Sequence, residues 1–366
     1  VNVSGEAALR PAGLPLGRLL AGLAVAAAAL AVTLWDVRPE QVLAALAGTR
    51  LEWLLLATAS VLLVAVTKAA RWQALLRAVN EPGAQVGYRT VFAVLLSAQV
   101  LNILIPIRLG ELVRIVVLNR RGGPSKSAIL GTIAVEKLLD LLFTALLALL
   151  VLPLAAGAVS EFDSALASLA LALGALVALV LAWRWHAALL GWFNAWVLPR
   201  LPARARRPLA RLADAAVHAL QVLASPRALA TVGGWSLLVW LFSGLSFYLL
   251  FGALDLALPP QVALVLLAAT QFGFVPPAAP GLVGVFDAIA PALLPLFGVE
   301  RARAVAYGFL SHVVLVGPPV LLGAFFLAQE AARWPAWRAL LRSALLRPAP
   351  PSVAPPAPAD GEGPGG

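Results

Sequence analysis

The apolar residues of this chain come in long blocks, and two of those blocks are broken near their centres by proline and glycine. A bilayer core about 30 Å thick takes about 20 helical residues to cross, at about 1.5 Å each. Uninterrupted runs reach that length at 17–35, 51–70, 127–152, 164–183, 228–251 and 304–327. Residues 90–119 and 261–297 are comparably apolar, but Pro106 and Gly110 interrupt the first. Pro276, Pro277, Pro280 and Gly281 interrupt the second. Proline lacks an N–H donor and clashes with the preceding turn, so neither stretch makes a clean helix. The pattern predicts an all-α polytopic membrane protein with six full spans plus two broken hairpins, about eight hydropathy segments in all.

Composition agrees. Of 366 residues 61% are apolar and 12% charged, against about 45–50% and about 25% in soluble domains. A soluble enzyme, a secreted scaffold and a disordered regulator are excluded. Cysteine is absent, and His186, His218 and His312 lie far apart. Neither a thiolate nor a histidine metal site is expected, and no cofactor. The net charge of +10 suits cytoplasmic loops beside anionic lipid. Nucleic acid is not an expected partner, because no soluble domain carries the charge. The Ala, Arg, Gly and Pro bias suits a GC-rich bacterial genome, and hence a multi-pass protein of the cytoplasmic membrane.

Positive charge sets the orientation. Loops 153–163 and 252–260 hold no Lys or Arg, whereas 184–227 holds Arg184, Arg200, Arg204, Arg206, Arg207, Arg211 and Arg227. The basic loop is therefore expected inside, along with segment 68–89, both termini (1–14 and 331–366) and 120–126. The first apolar run follows Arg10 and Arg18 and is read as an uncleaved anchor. Only a hairpin that enters and leaves on one side keeps these assignments consistent. The first hairpin would dip from the cytoplasm and the second from outside, as in an inverted-repeat transporter with its site near the midplane. Residues 185–198 place Trp185, Leu189, Trp192, Phe193 and Trp196 at helical spacing, as in an interfacial helix. Trp35, Trp53, Trp72, Trp183, Trp185, Trp334 and Trp337 fall at expected span ends, as an interfacial belt. The Pro/Gly-rich end of the 331–366 tail shows no periodicity and reads as disordered.

Several charges lie at depth, where insertion costs about 2.5–3.5 kcal/mol each. Arg108, Glu111 and Arg114 are three apart and share a helical face. Glu136 and Asp140 are four apart, with Lys137 beside them, and Asp287 follows Pro280, Gly281 and Gly284. Asn102 sits on the approach to the first break. These residues form either a polar cavity for a charged headgroup or an internal ion-pair network that pins the hairpins. No GxSxG, HExxH or Walker pattern occurs, and no GxGxxG dinucleotide motif opens a helix, so catalytic residues are not assigned.

In chain order these features are Arg71-Trp72, P-x-R-x-G-E-x-x-R (Pro106 to Arg114) and E-x-x-x-D (Glu136, Asp140). P-x-x-P-G-x-x-G-x-x-[DE] (Pro277 to Asp287) and Phe297-Gly298-Val299 follow. The set resembles the lysylphosphatidylglycerol synthase transmembrane-region family over about residues 15–330. It departs in Leu282, where the family often has a second glycine, in Asp287 for a common Glu, and near His312 for a common Arg. The resemblance implies a flippase-like domain that binds an anionic or aminoacylated phospholipid and moves it across the membrane. Lysyl transfer in the fused synthases belongs to a separate soluble domain, so synthesis of lysyl-lipid is not expected here. The implied site residues are Arg71, Asn102, Arg108, Glu111, Arg114, Glu136, Asp140, Pro280, Gly281, Gly284 and Asp287. A membrane-embedded transferase or hydrolase on lipid-linked substrates is the alternative, and a non-catalytic partner of a separately encoded lipid-modifying enzyme is another.

A cysteine introduced at Arg206 of this cysteine-free chain should resist membrane-impermeant thiol reagents in intact cells. Ready labelling from outside would reverse the topology.

Overall fold

The computed structural model describes residues 16–34, 37–79, 81–104, 109–155, 191–192, 195–196, 198–200, 225–273, 281 and 283–333. Its long helices are α1 (Leu16–Leu34), α3 (Leu51–Arg77), α6 (Lys126–Ala155), α7 (Pro226–Ala253) and α10 (Arg301–Arg333). Shorter helices are α2 (Pro39–Ala47), α4 (Tyr88–Leu104), α5 (Gly110–Arg120), α8 (Pro260–Gly273) and α9 (Val285–Leu293). No strand occurs among the described residues. Local chemistry fixes several starts. Pro39 and Pro226 occupy first-turn positions, where a missing N–H costs nothing. Ser225 caps α7 by accepting the Ala228 N–H at 3.1 Å.

Among the described residues α3, α7 and α10 are long and apolar enough to cross a membrane. The expected spans 17–35 and 127–152 correspond to α1 and α6, while 164–183 lies outside the described residues. The run 51–70 was expected to end at residue 70, with 68–89 on the inner side. Instead α3 continues to Arg77, because Ala69, Trp72, Leu75 and Leu76 keep burying one face. Lys68 and Arg71 are therefore helix residues and not part of an inner loop.

Cross-helix bonds set the directions. Arg50 N–H donates to Ala253 O at 2.9 Å, and Ser60 Oγ donates to Phe242 O at 2.9 Å, so α3 and α7 run antiparallel. Tyr307 OH donates to Phe247 O at 2.8 Å, and Arg303 reaches Leu254 O. The start of α10 thus sits beside the end of α7, and Arg301 ties in the end of α1 through Val32 O. We call this end, with Arg50, Asp255 and Arg301, the upper end. At the lower end Arg121 pairs with Glu330, and Glu81 accepts the Ser125 N–H at 2.9 Å.

The two interrupted stretches form helix pairs. Helices α4 and α5 pack against each other, and Gly110 lies against Ala98 and Asn102 near the end of α4. The other end of α5 is closed by Gly122 and Gly123, which pack on Gly83 just before α4. This pair therefore begins and ends at the lower end. Helices α8 and α9 lie between the end of α7 and the start of α10, so the second pair begins and ends at the upper end. Helix α5, at about 16 Å for its 11 residues, is too short to cross a bilayer.

One apolar core joins α3, α7, α8, α9 and α10 in the upper half. A second joins the end of α3 to α4, α5 and α6 in the lower half. Helix α10 is the wall that both pairs share. Gly308 meets Asp287 and Pro291 of α9, and Gly323 meets Leu96 and Val100 of α4. Pro318 and Pro319 lie between these glycines, inside α10. Small residues at such crossings let backbones approach, which is how helices associate when lipid tails are as apolar as their side chains. Several hydroxyls are satisfied within their own helices. Thr33, Thr144, Ser236 and Thr270 each donate to the carbonyl four residues earlier.

Gly323→Leu should overpack the α4–α10 crossing and destabilise the protein by about 1–3 kcal/mol. Gly234→Ala, where a Cβ meets nothing within 4 Å, should be neutral or stabilising. Thermal unfolding of the two variants in one detergent checks the contrast.

Candidate functional site

The charges at depth assemble between α3, α5 and α6. Arg114, on α5, forms a two-pronged pair with Glu136 on α6. Its Nη1 donates to Oε1 at 3.1 Å and its Nη2 to Oε2 at 2.6 Å. The guanidinium lies 3.9 Å from the Trp72 ring centroid, a cation–π arrangement that gives the desolvated cation a second partner. Trp72 Nε1 donates to Thr132 Oγ1 at 3.1 Å. One turn along α6, Asp140 accepts from Arg71 Nη1 at 2.8 Å. Trp72 is fully buried, so it is a wall of this site and not the belt residue its position in the chain suggests. Helical spacing explains the assembly. Glu136 and Asp140 share a face of α6, and Arg71 and Trp72 occupy the facing stretch of α3.

The break between α4 and α5 supplies the next layer. Asn102 Oδ1 accepts the Gly110 N–H at 2.7 Å, and its Nδ2 donates to Glu111 Oε1 at 3.3 Å. Glu111 also pairs with Lys137 Nζ at 3.5 Å. Asn102, Glu111, Arg114, Glu136, Asp140 and Arg71 thus belong to one cluster. Its innermost members Arg71, Arg114 and Glu136 are buried, whereas the Lys137 side chain is 52% exposed. The cluster therefore opens to one side. On α6 it lies about 15–21 Å from the helix start, counted at about 1.5 Å per residue, in the central third of that helix.

Lys68, counted in the sequence as an inner-loop charge, is a further member. It lies three residues before Arg71, within electrostatic reach of Asp140, Arg71, Lys137 and Glu136. Among the described residues it has no carboxylate within ion-pairing distance. The i, i+3 spacing to Arg71, with Leu75 and Leu76 continuing the apolar face, was the available signal. The cluster now holds four basic groups (Lys68, Arg71, Arg114, Lys137) and three acidic ones (Glu111, Glu136, Asp140). Buried and without hydrogen-bond partners are Arg71 Nε, Arg114 Nε and Glu111 Oε2.

Asp287 does not join this cluster. Its carboxylate accepts the Gly284 N–H at 2.9 Å and lies 2.8 Å from His312 Nδ1. Gly284 has φ +90°, and a Cβ there would strike the Ala26 backbone; only glycine lets α1 come so close. His312 also meets the Gly281 backbone. Gly281, Gly284, Asp287 and His312 form a second group that caps α9 and fastens it to α10. Arg108 and Pro280, and with them the tips 106–108 and 276–280, lie outside the described residues. Most of the expected interfacial helix does too. Its described Trp192 and Trp196 are exposed, with the Arg200 guanidinium 5.2 Å from the Trp196 ring centroid. No cluster of three or more His, Cys, Asp or Glu side chains suited to a metal occurs among the described residues.

These features define an α-helical membrane domain with a charged cluster at the break of a helix pair. The sequence matches the family described as the lysylphosphatidylglycerol synthase TM region over residues 19–323. The chain belongs to that family, a membrane family concerned with lipid handling. No curated protein matches the sequence.

Arg114→Gln should cost about 3–5 kcal/mol, because it leaves Glu136 buried and unpaired. The double variant Arg114→Gln/Glu136→Gln should recover part of that loss. Chemical denaturation of the wild type, both single variants and the double variant checks the coupling.

Proposed function

We propose that this protein binds a charged phospholipid at the α3–α5–α6 cluster and passes its headgroup between the leaflets of a bacterial cytoplasmic membrane. The observation that carries the reading is the imbalance of the cluster, four basic groups against three acidic ones at mid-depth. Two buried guanidinium N–H donors are left over and one lysine has no carboxylate of its own. A phosphate takes up such donors, and arginine suits it through its planar fork. Arg108 adds a further cation next to the same break. Glu111, on the open side, is placed to meet a cationic aminoacyl group.

The two helix pairs serve as hairpins that dip into the membrane from opposite faces, in the manner of an inverted repeat. The lower end is the cytoplasmic one. Arg77, Arg89, Arg120, Arg121, Lys126 and Arg227 lie there with Glu81 and Glu330. The upper end balances Arg38, Arg50, Arg301 and Arg303 against Glu40, Glu52, Asp255 and Glu300. That asymmetry follows the positive-inside rule. Binding fits better than acid–base chemistry, because Glu136 and Asp140 are each held by an arginine.

In liposomes containing labelled lipids of several headgroups, Arg108→Gln, Glu111→Gln and Lys68→Gln should each slow translocation at least tenfold. Losing a charge-assisted bond costs about 1.5–3 kcal/mol, and about 1.4 kcal/mol is tenfold. Full activity in all three folded variants would reduce the cluster to a structural ion-pair network. Chemical turnover of a lipid by the purified protein in detergent would favour the enzyme reading.

A further inference from the structure

A second polar recess lies at the lower end, apart from the charged cluster. The segment before α4 and the turn after α5 flank a half-open recess of about 460 Å³ lined by Gln85, Gly87, Thr90, Arg121, Gly122 and neighbouring backbone. Small-molecule sites run from about 300 to about 1,000 Å³. The walls are built and held. Glu81 accepts from both the backbone N–H and the hydroxyl of Ser125, at 2.9 and 3.1 Å, which locks one segment to the other. Gly83 and Gly122 both adopt left-handed backbone, with φ +79° and +78°. A Cβ on Gly83 would strike the Gly123 backbone at 2.9 Å. Glycine at these turns brings the two segments together and leaves backbone lining the recess.

The one charged residue lining the recess is a cation. Arg121 points one nitrogen, Nη2, at Glu330 of α10, and an arginine has five N–H donors in all. Thr90 and Gln85 add a hydroxyl and an amide. Arg89, Arg120 and Lys126 stand next to these segments in the chain, against one acidic residue, Glu81, which is taken up by Ser125. Glu330, buried on the far side of Arg121, keeps the guanidinium in place, and its Oε2 has no partner. At Gly87 a Cβ would meet nothing within 4 Å, so the cavity is open there.

We propose that this recess binds a phosphate group, with Arg121 as the principal contact, Thr90 and Gln85 beside it, and Arg89, Arg120 and Lys126 drawing the anion in. The phosphate comes either from the headgroup of an anionic lipid or from a soluble phosphate compound. The site is distinct from the α3–α5–α6 cluster and does not depend on the function proposed for it.

The test uses the full chain in phosphatidylcholine nanodiscs. One arm titrates inorganic phosphate and the other water-soluble dihexanoyl phosphatidylglycerol, both followed by phosphorus NMR line broadening. Gly87→Leu fills the recess and leaves the Arg121–Glu330 pair intact. Arg121→Gln/Glu330→Gln removes both charges together, so no carboxylate is left buried alone. Saturable binding weakened at least tenfold by both variants is expected. Weakening in the phosphate arm assigns a soluble anion. Weakening in the lipid arm alone assigns a headgroup. No saturable binding in either arm, or binding unchanged by Gly87→Leu, overturns the proposal.

Discussion

A backbone that stops being helical away from water must find partners for the N–H and C=O groups it frees. At the first break one side chain does much of this. Asn102, at the end of α4, takes the Gly110 N–H that opens α5 and turns its amide nitrogen to Glu111. The side chain thus closes the turn and sets the first carboxylate of the cluster. Helix α5 then starts in a fixed register, which brings Arg114 one turn later to Glu136 and to the face of Trp72. The second break is closed on the same principle with other groups, Asp287 taking the Gly284 N–H and holding His312.

Buried charge then becomes affordable. A guanidinium removed from water costs several kcal/mol unless its donors are met. Arg114 has a carboxylate in its plane and an indole below it, and Arg71 has Asp140. The remaining unmet donors are few and adjacent. A polar ligand adds most where protein partners are incomplete but already positioned, since little ordering is then left to do.

Much of this was legible in the residues. The Pro/Gly interruptions marked both helix pairs, and the spacing of Glu136 and Asp140 marked the face that α3 and α5 meet. Lys68 was hidden because a basic residue near the end of an apolar run reads as the start of a loop. The run continues in Trp72, Leu75 and Leu76, however, and that continuation keeps the helix going. Trp72 misled for a related reason. An indole near a span end fits an interfacial belt, but only the fold shows that α5 brings Arg114 over it. Asp287 looked like a member of the charged cluster. Its distance of three residues from Gly284 is the spacing of a helix cap, a local role the sequence also carried. Which of several cations meets which carboxylate depends on tertiary packing, and helical periodicity alone does not determine it.

The shared wall α10 carries a mechanical consequence. Pro318 and Pro319 remove two successive donors from its hydrogen-bond ladder, freeing the carbonyls of Val314 and Leu315. This weak joint falls between Gly308, clamped to α9, and Gly323, clamped to α4. The upper part of α10 is therefore held by the α8–α9 pair and the lower part by the α4–α5 pair, with the prolines at the joint between them, where a helix bends most readily. Each polar group thus has its own grip on α10, and the two successive prolines separate the grips along one continuous helix.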